Sequence, residues 1–135
     1  MKAKFLLIVL ISIFTINLAT AQKSNKEDIP PKTYELTYKG TKYTIKEGDT
    51  VYLGFGSNPY GSFMYFKYGG DKTLPKEVGG KTAVITKIIH YKVGNIDRFM
   101  MKTTSKPTYM FYTDDLNQSI SKQEIIGIND VKFHE

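Results

Sequence analysis

Strand-forming residues and turn residues are both densest between residues 45 and 68, and the rest of the chain predicts further strands around this segment. Residues 47–49 (Glu-Gly-Asp) predict a turn, 50–53 a short strand of β-branched and aromatic residues, and 54–61 an exposed glycine-rich loop. Residues 62–68 then predict an aromatic strand with apolar side chains on both faces. A chain that turns so often is restricted to a β fold built from short strands.

Further strands are predicted on both sides of this segment. Residues 34–38 and 42–46 alternate apolar and polar side chains around Lys39 and Gly40, which is typical of a β-hairpin. Residues 82–93 form the longest strand candidate, but their apolar positions change parity, and a β-bulge within 86–88 would reconcile the two halves. Three more strands are predicted at 96–104, 108–113 and 128–133.

The pattern of the sequence changes in residues 114–126, where Leu116, Ile120 and Glu124 are spaced by four. Asp115 or Asn117 can cap a helix there, and Gly127 can end it, so we expect one short α or 3₁₀ turn. The predicted fold class is therefore all-β, with five to seven short strands and one helical turn before the last strand.

This order of elements resembles the SH3-like β-barrel of small exported bacterial proteins. The resemblance rests on the sequences KEGDTV at 46–51 and SFMYF at 62–66, and it covers Thr33 to Lys132. It implies a small barrel but no SH3 peptide groove, because the Trp of that groove is absent. An OB-like barrel and a small sandwich are the alternatives.

The chain begins with two lysines, an apolar run of about 14 residues and an Ala-Thr-Ala sequence, which are the features of a secretory signal peptide. The run is short for a hydrocarbon core of about 30 Å. We expect residues 1–21 to form a signal helix outside the fold, with cleavage after Ala21. Residues 22–32, which are charged and contain a Pro pair, predict a disordered linker, and 33–133 predict a single β-barrel domain.

Composition restricts the chemistry and the partners. The absence of cysteine excludes disulfides, thiolate metal sites and a cysteine nucleophile. Loss of Lys2 and Lys4 with the signal lowers the formal charge from +6 to +4, and the remaining lysines are dispersed. We therefore expect no nucleic-acid partner, no membrane span after cleavage, and a secreted or periplasmic protein with at most weak attraction to acidic glycans or anionic lipid.

No residue pattern predicts catalysis, a metal site or a cofactor. The sequence Ser119-Ile-Ser-Lys122 matches the S-x-x-K motif, but the companion elements of that hydrolase family are missing. His90 and His134, the two histidines, do not have metal-ligand spacing. The sequence therefore predicts a non-enzymatic protein, and a small hydrolase is kept as an alternative.

Aromatic residues are the prominent feature that remains. The chain has ten Tyr and, outside the signal peptide, six Phe, and a phenol tolerates one hydrated end at a contact surface. We predict an exported binding module whose ligand is a protein, peptide or glycan of the cell envelope. The alternative is an inhibitor or immunity-type protein that uses the glycine-rich loop to block a secreted hydrolase or toxin. The candidate ligand-binding residues are Phe55, Tyr60, Tyr65, Tyr68 and Tyr112.

Overall fold

The first two strands form a hairpin of their own. The computed structural model describes residues 31–134, so the predicted signal peptide and most of the predicted linker lie outside the described residues. Strands β1 (Thr33–Tyr38) and β2 (Thr41–Lys46) pair antiparallel in full register. Lys39 and Gly40 join them with φ of 48° and 79°, the two positive values of a type I′ turn. The predicted hairpin and its turn are confirmed.

The second sheet has eight antiparallel strands in the order β10-β9-β3-β6-β7-β8-β4-β5. Its members are β3 (Thr50–Leu53), β4 (Lys67–Tyr68), β5 (Lys72–Thr73), β6 (Thr82–Tyr91), β7 (Ile96–Thr103), β8 (Met110–Thr113), β9 (Ile125–Ile128) and β10 (Val131–Lys132). A 3₁₀ turn covers Lys76–Val78, and helix α1 covers Leu116–Ser121. The all-β prediction is confirmed, and the described residues hold ten strands where five to seven were predicted. The predicted strand 128–133 is divided between β9 and β10, and the two-residue strand β5 was not predicted.

The long strand β6 contains the predicted bulge. Ile85 lies opposite Met101 and Lys87 opposite Met100, so Thr86 is the extra residue. The bulge lets Ile85 and Ile88 both enter the core although they differ in parity, which explains the mixed pattern in the sequence.

Helix α1 begins as predicted and ends earlier than predicted. The Asp115 side chain accepts a hydrogen bond from the backbone N–H of Gln118 at 3.0 Å, so Asp115 is the N-cap. The prediction that Gly127 ends the helix is wrong: the helix ends at Ser121, and Gln123 takes the left-handed φ of 62° that turns the chain. Gly127 lies within β9, where it pairs with Tyr52.

Phe and Tyr occupy different places in the fold. Five of the six Phe in the described residues are buried, whereas none of the ten Tyr is. Tyr34 and Tyr38 of the β1–β2 hairpin instead pack edge-on against Phe99 and Phe133, with ring centroids 4.9 and 5.2 Å apart. Tyr thus forms a partly hydrated layer around a core of Phe and aliphatic residues. No helix in the described part of the chain has the length and apolar character needed to cross a bilayer.

Candidate functional site

A buried carboxylate fixes the connection between β3 and β4, residues 54–66, which we call the aromatic loop. Glu124 is fully buried. Its Oε1 accepts hydrogen bonds from the Ser57 hydroxyl at 2.6 Å and from the Met64 N–H, and its Oε2 accepts one from the Tyr65 N–H at 3.0 Å. A buried charge is tolerated only with such partners, so the loop and the carboxylate depend on each other.

This anchoring explains why residues 62–68 do not form the predicted strand. Only Lys67–Tyr68 pair with a neighbouring strand, because the N–H groups of Met64 and Tyr65 are directed to Glu124 instead. Phe63 and Phe66, three residues apart, both enter the core with ring centroids 5.6 Å from each other. The prediction of alternating faces is therefore wrong for this segment.

Phe55 lies at the start of the aromatic loop and is 75 % exposed, whereas the other five Phe side chains in residues 31–134 are at most 6 % exposed. One edge of its ring rests on the backbone of Gly79. A Cβ added at Gly79 would lie 2.8 Å from Phe55 Cδ1, so a larger residue at position 79 would displace the ring. One edge of the Phe55 ring thus contacts Gly79, and most of the ring is exposed to solvent.

Two adjoining clefts extend from Phe55 along the outer surface of the sheet. The first has a volume of about 420 Å³ and is lined by Phe55, Tyr52, Ile126, Lys122 and the backbone of three glycines. The second, of about 540 Å³, shares Tyr52 and Ile126 with the first and continues to Val131, Lys132 and His134. We call the two clefts together the Phe55 groove. Volumes in this range are typical of ligand sites.

A β-bulge in β9 places Ile126 in this groove. Tyr52 pairs with Gly127 and Leu53 pairs with Ile125, so Ile126 is the unpaired extra residue. Its side chain is 39 % exposed beside Tyr52, which is 41 % exposed. Bulges are frequent next to binding sites because they redirect one side chain without ending the sheet.

The predicted site residues do not form one cluster. Phe55 lines the groove, and Tyr60, 80 % exposed, lies on the same loop. Tyr65 is half-buried where its N–H donates to Glu124, and Tyr68 packs edge-on against Tyr109 at 5.8 Å. Tyr112 lies on β8 with its ring centroid 4.0 Å from the guanidinium of Arg98.

Tyr52 and Ile126 are site residues that the sequence analysis missed. Tyr52 could have been found, because strand alternation turns it away from its buried neighbours Val51 and Leu53. Ile126 could not, because its exposure depends on a bulge that local sequence does not predict.

Arg98 forms a second polar cluster on the neighbouring strands. Its Nε and Nη2 donate to the two carboxylate oxygens of Asp114 at 2.7 and 2.8 Å, and its guanidinium also lies 5.1 Å from the Tyr91 ring centroid. The hydrogen bond to Asp114 raises the pKa of Arg98 above its ordinary value. This cluster ties β6, β7 and β8 together, and the Nε and Nη2 groups of Arg98 are both used within the protein.

Ser119 of the S-x-x-K sequence cannot meet a substrate in this structure. It is fully buried, and its hydroxyl donates to the Asp115 carbonyl at 2.9 Å and lies 3.0 Å from the Thr113 hydroxyl. Within residues 31–134, no group of three or more His, Cys, Asp or Glu side chains is arranged to hold a metal ion.

No family model, curated protein or solved structure matches this chain. The resemblance to an SH3-like barrel therefore stays a prediction.

Proposed function

We propose that this protein is an exported, non-enzymatic binding module and that its contact surface is the Phe55 groove. The single observation that carries the proposal is Phe55, the one described Phe whose side chain is exposed to solvent. An exposed aromatic ring that packs with one edge on the protein backbone is typical of a residue that contacts a ligand. The signal-peptide sequence at residues 1–21 supports export and an envelope ligand, which is a protein, a peptide or a glycan.

The groove is suited to binding because its aromatic side chain is already in position. Glu124 and the backbone of Gly79 hold the aromatic loop and the Phe55 ring, so little order has to be gained when a ligand arrives. An aromatic side chain offers about 200 Å² of surface, and covering most of the exposed part of the Phe55 ring is worth about 3 kcal/mol before the costs of association are subtracted. Phe55 and Tyr52 should therefore dominate the binding energy.

The Phe55→Ala substitution tests this proposal. We expect it to leave the melting temperature within a few degrees of the parent value, because the ring is outside the core, and to weaken capture of the envelope ligand at least tenfold. The measurement is quantitative pull-down from the cell-envelope fraction with immobilised protein. Val93→Ala is the matched control, since Val93 is 91 % exposed and lines a different cleft. If Phe55→Ala and Val93→Ala captured the same amount of ligand, the Phe55 groove would not be the contact surface.

The inhibitor alternative is favoured by a different feature of the same loop. Tyr60 is 80 % exposed and follows Pro59, and the Asn58 side chain braces this tip by accepting the N–H groups of Tyr60 and Ser62 at 2.9 and 2.7 Å. A rigid tip of this kind can enter an enzyme cleft at low entropic cost. Inhibition of a secreted lysozyme or protease that Tyr60→Ala abolishes and Phe55→Ala leaves intact would favour this alternative.

A further inference from the structure

We infer that the ligand of the Phe55 groove is an acidic glycan. This inference rests on the proposed function and adds the chemical class of the ligand. It is drawn from the stacking surfaces, the charged side chains and the backbone that line the groove.

The apolar part of the groove is suited to the face of a sugar ring. Phe55 and Tyr52 present exposed rings, and the lining between them includes the backbone of Gly54, Gly56 and Gly80. A shallow surface of aromatic rings and glycine backbone accepts a flat ring, whereas it has no deep pocket for a bulky apolar side chain. The C–H groups on one face of a pyranose supply the apolar partner that such rings need.

The charged part of the groove favours an anionic ligand that also carries hydroxyl groups. Lys122 lines the first cleft and Lys132 the second, and both side chains are exposed. Neither lysine forms an ion pair with a carboxylate in residues 31–134. Asp130 also lines the second cleft, and its carboxylate can accept hydrogen bonds from sugar hydroxyls. Two lysines against one aspartate leave a net positive lining for a carboxylated or sulfated sugar.

The backbone of the groove does not favour an extended peptide. Strands β3 and β9, which carry Tyr52 and Ile126, are both interior members of the sheet and have no free edge. The adjacent edge strand β10 has two residues, and the following residue Phe133 already donates its N–H to the Ile126 carbonyl at 3.0 Å. A peptide would therefore lack the row of main-chain hydrogen bonds that strand addition requires.

The test is a binding titration of the exported protein, purified as the cell releases it. The acidic probes are hexasaccharides of galacturonate, hyaluronan and heparin; the neutral probes are maltohexaose and cellohexaose, and hexaglutamate is the acidic peptide. Calorimetry gives the affinities, and NMR shifts of the groove residues give the location. We expect at least one acidic hexasaccharide to bind at low ionic strength at least tenfold more tightly than every neutral probe and hexaglutamate, and to weaken as salt is added.

Variants assign the binding to named residues. We expect Phe55→Ala to weaken the acidic glycan at least tenfold, and Lys122→Gln and Lys132→Gln to weaken it about threefold to tenfold each and to reduce its salt dependence. Lys92→Gln, in the cleft beside Val93, is the matched control and should have no effect. Tighter binding of a neutral glycan or of hexaglutamate in the groove would overturn the inference and leave the binding-module proposal standing. Absence of binding by all three acidic glycans would overturn it as well, while envelope capture that depends on Phe55 would still support the proposed function.

Discussion

At the scale of single residues, the fold separates two aromatic side chains that differ by one hydroxyl group. Phe fills the core and Tyr surrounds it, because burying a phenol leaves its O–H in need of a partner. The exception among the Phe side chains is Phe55, and it is the residue on which the proposed site is built. Among the Phe side chains of residues 31–134, Phe55 alone is not buried, and the proposed site is built on this difference.

Tyr34 provides a pH test of this aromatic layer. Burial against the core raises the pKa of Tyr34, and the nearby carboxylates of Asp97 and Asp115 raise it further. The folded protein therefore keeps this proton to a higher pH than the unfolded chain. The stability that this contributes is complete below the ordinary Tyr pKa of about 10 and is lost as the pH rises through the raised value.

We expect Tyr34→Phe to lose less stability than the parent protein when the pH is raised from about 8 to about 11. Urea unfolding followed by circular dichroism at the two pH values measures the difference. Tyr60→Phe is the control, because its ring is 80 % exposed. If Tyr34→Phe and the control lost the same stability, the Tyr34 phenol would not be the group that titrates.

At the scale of elements, the aromatic loop depends on one carboxylate that is distant in sequence. Glu124→Ala would leave the Met64 and Tyr65 N–H groups without their acceptor, and each unsatisfied buried donor costs about 1–3 kcal/mol. We expect a loss of about 3 kcal/mol in the free energy of unfolding, together with weaker ligand binding from a disordered loop. Urea unfolding and amide hydrogen exchange of residues 54–66 measure the two effects.

Glu77→Ala is the matched control for this loop, because Glu77 is exposed in the 3₁₀ turn. It should change stability by less than about 0.5 kcal/mol. Similar unfolding midpoints for the Glu124 and Glu77 variants would show that the carboxylate does not hold the loop.

The elements that the sequence predicts well are those whose signals are local. The turn at Lys39 and Gly40, the bulge at Thr86 and the cap at Asp115 each follow from a few adjacent residues. The path of residues 62–66 depends on Glu124, about 60 positions further along the chain. The local pattern of apolar residues does not predict a contact between residues so far apart in sequence. The same holds for the groove: Phe55 and its glycines stand out locally, whereas Ile126 requires the register between β9 and β3.

At the scale of the whole molecule, the sequence predicts export from residues 1–21, which lie outside the described residues. We expect the released protein to begin at Gln22, because the signal-peptidase sequence ends at Ala21. Intact-mass spectrometry of the protein recovered outside the cytoplasm measures this directly. A released chain that still contains residues 1–21 would contradict the cleavage, and the envelope ligand would then have to be reconsidered.

The bulge at Ile126 has a consequence for how this protein can change over evolution. Tyr52 pairs with Gly127 and Leu53 pairs with Ile125, so Ile126 has no partner on β3, whereas on its other side its carbonyl accepts the Phe133 N–H. A descendant chain without this one codon could keep the β3–β9 ladder continuous, at the loss of that hydrogen bond and of one wall of the groove. Under the proposed function, a change at this one position could therefore alter ligand preference while the strand pairing and the core stay in place.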